Sequence, residues 1–164
     1  MNIALCGMMG CGKTTVANVF AEQGYEVVDT DKIIVERYGA IDGIFEKFGE
    51  ERFRSIEAQV TAEVAKKYAD AVISLGGGCV LRAENVNNLK ASGKIVYLKA
   101  EASTLIKRLK GDATRPLLKG GLEEQVKSIL SARAEIYESV ADFIVDTDKL
   151  TPREVAERIK EAVK

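Results

Sequence analysis

Short β-branched and apolar runs alternate with longer stretches whose apolar positions recur every three or four residues, from the first residues to the last. The short runs predict strands near 3–6, 26–28, 71–74, 95–98 and 143–145. The longer stretches predict helices near 14–22, 31–38, 44–48, 50–68, 83–91, 102–110, 122–140 and 151–163. This alternation predicts an α/β protein: a five-stranded parallel sheet between two layers of helices. The last helix has the clearest start, with Thr151 as N-cap, Pro152 in the first turn and Glu154 placed to complete a capping box.

Between the first strand and the first helix lies Gly7-Met8-Met9-Gly10-Cys11-Gly12-Lys13-Thr14, which fits the phosphate-binding pattern G-x-x-x-x-G-K-[ST]. Its position gives the match its force. Glycine permits backbone angles closed to other residues, so consecutive N–H groups can turn inward on a polyphosphate at the positive end of the following helix. Gly10, Cys11, Gly12, Lys13, Thr14 and Thr15 are the candidate nucleotide contacts. Lys13 reaches the β- and γ-phosphates in such a loop, and the Thr14 hydroxyl serves magnesium.

Composition narrows the picture. With 164 residues, 46% apolar and 30% charged, the chain predicts one domain with its own core. A net charge of −1 supplies no basic field for nucleic acid or an anionic membrane. The opening apolar run is too short for a membrane helix or a secretory signal, so a cytoplasmic enzyme is expected. Three cysteines without C-x-x-C spacing suggest neither a disulfide framework nor a zinc site. They read as packing residues, with Cys11 singled out because a thiol beside Lys13 at a helix N-terminus can be acidic. The chain has no histidine, which moves any chemistry toward metal, lysine, arginine and carboxylate.

The second strand ends at Asp29-Thr30-Asp31, where side chains enter the crevice in which open α/β sheets bind ligands. Either aspartate alone reads as a helix cap. Beside a phosphate loop, one can support magnesium and the other can bind an attacking hydroxyl. Arg54 lies off the apolar stripe of its helix, either as a surface ion pair with Glu57 or as a grip on an anion. Gly76-Gly77-Gly78 follows the third strand as a flexible link or, the favoured reading, as a wall of a substrate pocket. Residues 111–122 form a long cationic connection in which Arg115 belongs to a solvated loop or to a lid. Arg133 shares a helix face with Tyr137, and burying a guanidinium requires an anion.

Six blocks in this order resemble the shikimate kinase family: the loop 7–15, Asp29-Thr30-Asp31, Phe53-Arg54-x-x-Glu57, Ser74-Leu75-Gly76-Gly77-Gly78, Arg115-Pro116-Leu117-Leu118 and Arg133-x-x-x-Tyr137. The resemblance implies a P-loop NTPase fold of the nucleoside monophosphate kinase type. It also implies transfer of the ATP γ-phosphoryl to the 3-hydroxyl of shikimate, on the route to chorismate and the aromatic amino acids. Carried over, Lys13, Asp31 and Arg115 are catalytic, and Thr14 and Asp29 serve Mg2+. Arg54, Arg133 and Gly76 to Gly78 hold shikimate together with Asp31, Arg108 flanks the adenine, and 31–68 is the substrate-binding segment. The run Asp148-Lys149-Leu150-Thr151 before Pro152 departs from the family's adenine-binding run. The expected partners are ATP and shikimate, without nucleic acid or membrane, and the expected state is a monomer. Another small-molecule P-loop kinase, acting on gluconate or a nucleoside monophosphate, and a non-catalytic nucleotide-binding module are the alternatives.

Overall fold

The computed structural model describes residues 1–111 and 121–164. Its strands are β1 (Asn2–Cys6), β2 (Glu26–Asp29), β3 (Ala71–Ser74), β4 (Gly93–Lys99) and β5 (Phe143–Asp146). Its helices are α1 (Lys13–Glu22), α2 (Thr30–Tyr38), α3 (Ile41–Lys67), α4 (Ala83–Ser92), α5 (Ala102–Lys110), α6 (Leu122–Val140) and α7 (Pro152–Val163). A short 3-10 turn at Cys79–Leu81 lies between β3 and α4.

The strands form one sheet in the order β2-β3-β1-β4-β5, and each neighbouring pair is parallel. Every residue of β1 and of β3 is buried, as expected of central strands with helices over both faces. This is the three-layer α/β arrangement read from the sequence. Helix α1 packs against α7, and α3 packs against α2 and α4. The core runs through the sheet and takes in Phe20, Ile34, Leu89, Leu105 and Ile159.

All strands point the same way, so their carboxyl ends lie along one edge. There Cys6 leads into the phosphate loop, Asp29 into α2, Ser74 into the three glycines and Asp146 into Thr147. Helix α3 breaks at Gly49, whose φ of 83° and ψ of 170° are not helical. The two predicted helices on either side of residue 49 are the two arms of that break. The first arm begins at Ile41 rather than at 44, with Asp42 in its opening turn where a carboxylate complements the helix dipole. The capping box at α7 is formed in both directions: Glu154 N donates to Thr151 Oγ1 and Thr151 N to Glu154 Oε1, each at 3.2 Å.

Candidate active site

The phosphate loop leaves β1 and enters α1 through Gly12, whose φ of 98° is in the left-handed region. No side chain caps α1, so the first amides of the helix remain available to an anion. Cys11 N donates to Met8 O at 3.1 Å and closes the turn. The Lys13 ammonium lies over the loop, donating to Gly7 O at 2.6 Å and Met8 O at 3.2 Å. Thr14 and Thr15 are exposed beside it.

A cleft of about 360 Å³ opens from residues 9–16 toward Arg108, Leu109, Thr147, Leu150, Pro152 and Val155. Its far wall comes from α5 and from the β5 to α7 connection, more than ninety residues away in sequence; Leu150 lies in the run 148–151 already singled out before Pro152, whereas local pattern carried no signal for Thr147 or Val155. Arg108 lines the cleft and also straps it. Its guanidinium donates to Gly10 O at 3.3 Å, Cys11 O at 3.2 Å and Thr147 O at 3.3 Å.

Cys11 lies beside Lys13 as expected, with Nζ 3.7 Å from its Sγ, but it is buried. The residue is only 2% exposed, and a β-carbon added at Gly7 would stand 2.8 Å from its Sγ, so the thiol points under the loop rather than out of it. Cys6 and Cys79 are also buried, and desolvation pushes each thiol up to about 12. Both are packing residues, as their lack of pairing predicts.

Asp29 realises the capping alternative, accepting from Lys32 N at 3.1 Å with Oδ1. Asp31 differs: its Oδ1 is buried and has no hydrogen-bond partner among the described residues. Burial raises its pKa first and Asp29 adds to the rise, while Lys13 and Arg54 oppose it. An ionisable oxygen in that condition is costly to the fold and characteristic of a group meant for a ligand.

The pairing of Arg54 with Glu57 also needs correction. The ion pair exists, with Nη1 to Oε1 at 2.8 Å, but the Glu57 side chain is 2% exposed and the pair lies against the core instead of on the surface. Burial raises the Glu57 pKa, and the hydrogen bond from Arg54 holds it back. The signal was present in the pattern, since residue 57 falls among 53, 56, 60 and 64 on the buried face of α3. Arg82 Nη1 donates to the Arg54 carbonyl at 3.0 Å, a support that the sequence did not suggest.

The three glycines bring these groups together. A β-carbon added at Gly76 would stand 2.7 Å from Asp31 Oδ1 and 3.1 Å from Glu57 Oε2. One at Gly77 would stand 3.3 Å from Arg133 Nη1 and 3.7 Å from Gly7 O, and one at Gly78 would stand 2.5 Å from Arg54 Nη1. Each glycine makes room for a different side chain, which excludes the flexible-link reading. Asp31, Arg133 and Arg54 therefore border one strip of backbone at the carboxyl edge of the sheet, and the middle of that strip abuts the first residue of the phosphate loop. Arg115 lies outside the described residues.

A family model described as shikimate kinase matches residues 9–164. The shikimate kinase of Caldicellulosiruptor bescii is 45% identical over 161 residues, covering 96% of this chain and 92% of its own. That of Thermodesulfovibrio yellowstonii is likewise 45% identical over 161 residues, with the same shares of both chains. Among solved structures, the Acinetobacter baumannii shikimate kinase in complex with shikimate superposes with a TM-score of 0.88 at 37% identity, covering 98% of this chain and 90% of that one. The Aquifex aeolicus shikimate kinase superposes with a TM-score of 0.83 at 33% identity, over 99% and 95% of the two chains.

Proposed function

The chain belongs to the shikimate kinase family, an ATP-dependent kinase family, and we propose on that premise that it transfers the γ-phosphoryl of ATP to the 3-hydroxyl of shikimate, giving shikimate 3-phosphate and ADP. The observation that carries this reading is the glycine strip beside the phosphate loop, where two guanidiniums meet the Asp31 carboxylate, whose Oδ1 has no hydrogen-bond partner among the described residues, and the Glu57 carboxylate, which is paired with Arg54. A hydroxy acid matches that set, because its carboxylate takes the arginines and its hydroxyl takes the aspartate.

In this reading the amides of Gly10 to Thr15 and the Lys13 ammonium hold the triphosphate, and the base enters the cleft between Arg108 and Pro152. Arg54 and Arg133 bind the shikimate carboxylate, and Gly76 to Gly78 line the ring. The 3-hydroxyl donates to Asp31, which aims the oxygen at the γ-phosphorus. The new O–P bond forms as the bond to the β-phosphate oxygen breaks, the hydroxyl proton leaves along its hydrogen bond to Asp31, and ADP departs. Catalysis is then mainly positioning and charge neutralisation.

Thr14, exposed at the start of α1, and Asp29, at the carboxyl end of β2, would supply hard oxygen donors. Among the described residues no group of three or more His, Cys, Asp or Glu could hold a metal without help. That combination fits magnesium, which binds through one or two protein oxygens together with substrate phosphates. When bound it supplies charge neutralisation on the β- and γ-phosphate oxygens.

The same proposal gives Arg115 a place on the transferring phosphoryl, 31–68 the role of substrate-binding arm and 111–122 that of lid. It also places the enzyme in the cytoplasm as a monomer. A coupled assay of ADP release, with magnesium and ATP and with shikimate, gluconate or AMP as acceptor, tests the reading. Release that depends on shikimate supports it, and release that depends only on gluconate or AMP overturns it.

A further inference from the structure

Helix α6 carries Arg133 and Tyr137 one turn apart, and the tyrosine is fully buried. Its hydroxyl donates to the Gly77 carbonyl at 2.6 Å, a short bond for a buried phenol. Its ring packs against Tyr97, with centroids 5.0 Å apart and planes at 33°. Tyr97 pairs in register with Cys6, the residue before the phosphate loop, so the phenol is fixed at its ring by the central sheet and at its tip by the glycine strip. Arg133 bears on the same glycine, with Nη1 3.3 Å from the position of a β-carbon at Gly77 and the phenolic oxygen 3.9 Å from it, so guanidinium and phenol are neighbours there.

We propose that Tyr137 is a positioning residue for Arg133: its hydroxyl, anchored on the Gly77 carbonyl, holds the guanidinium over the glycine strip where the substrate carboxylate binds. The inference rests on the substrate reading above and deepens it. An arginine at this place has several rotatable bonds, and without a fixed partner each binding event has to order them. The phenol orders the side chain beforehand. Its oxygen can donate to the carbonyl and accept from the guanidinium at once, which phenylalanine cannot do. A tyrosine needed only for core packing has no use for the hydroxyl beyond its own satisfaction.

The test is steady-state kinetics of the full chain carrying Tyr137→Phe, which keeps the ring against Tyr97 and with it the fold. The KM for shikimate is expected to rise about tenfold, with kcat within about threefold of wild type and the KM for ATP unchanged. In an Arg133→Ala background the same change is expected to move the shikimate KM by less than about twofold, because the guanidinium it acts through is gone. Equal shifts in both KM values, no shift in either, or effects that multiply in the double variant overturn the proposal. The wild-type rate with shikimate tests the substrate reading, whereas the ratio of variant to wild type tests this inference, so the two can fail separately.

Discussion

Arg54 lies so close to Gly78 that a β-carbon added at residue 78 would stand 2.5 Å from its Nη1 and 2.7 Å from its Cζ. The glycine is needed there for the space it leaves. Gly78→Ala therefore displaces the guanidinium from the strip. Swinging outward also takes the guanidinium from the buried Glu57 carboxylate, so a lower melting temperature is expected together with the loss on the substrate side. We expect kcat/KM for shikimate to fall roughly 10- to 100-fold, about 1.4–2.8 kcal/mol of transition-state binding, with the KM for ATP unchanged. An unaffected shikimate KM would show that Arg54 acts elsewhere.

Asp31 is expected to trade stability for turnover. Its pKa is raised from 3.8 by burial and then by Asp29, so the folded protein binds the proton more tightly than the unfolded chain does. The stability this group contributes is fully present below the unfolded pKa and is lost as pH rises through the folded one. At pH 7 Asp31→Asn thus removes a destabilising charge, and the melting temperature rises. The advantage shrinks to nothing below about pH 4, where the unfolded-state group is itself protonated. The same variant is expected to lose about 10²–10⁴ in kcat. Thermal unfolding of both proteins at pH 7 and pH 3.5 checks the first part, and a lower melting temperature for the variant at pH 7 contradicts it.

The thiols give a simpler check. Cys6, Cys11 and Cys79 are buried, so the native enzyme is expected to react slowly with a disulfide reagent and the denatured chain to titrate three thiols. Reaction at Cys11 requires the loop above it to open, and saturating ATP is expected to slow it at least severalfold further. Rapid native labelling of Cys11 that ATP does not affect would contradict this placement.

Much of this molecule was legible because its signals are local. β-Branched runs mark the strands, Gly49 separates the arms of α3, and Thr151 with Glu154 spells out a cap. The phosphate loop was readable for the same reason. Glu57 was misplaced because an i, i+3 arginine looks like a surface partner, although its position among Phe53, Ile56, Val60 and Val64 put the carboxylate on the buried face of α3. Thr147 and Val155 line the cleft beside the phosphate loop only through the pairing of β5 beside β4 and the packing of α7 on α1, contacts between segments distant in the chain. The 3-10 turn at Cys79–Leu81 is three residues long, too short to leave a period.

The central claim is that Arg54 and Arg133 read a carboxylate, and it is tested most directly by comparing shikimate with its methyl ester, which keeps every hydroxyl and loses the charge. In the wild-type enzyme kcat/KM is expected to favour the acid by roughly 10²–10⁴, since the ester offers the two guanidiniums no carboxylate. In an Arg54→Ala, Arg133→Ala double variant that preference is expected to collapse to within about tenfold. A wild-type enzyme that phosphorylates acid and ester equally well, or a double variant that keeps the full preference, would contradict the account.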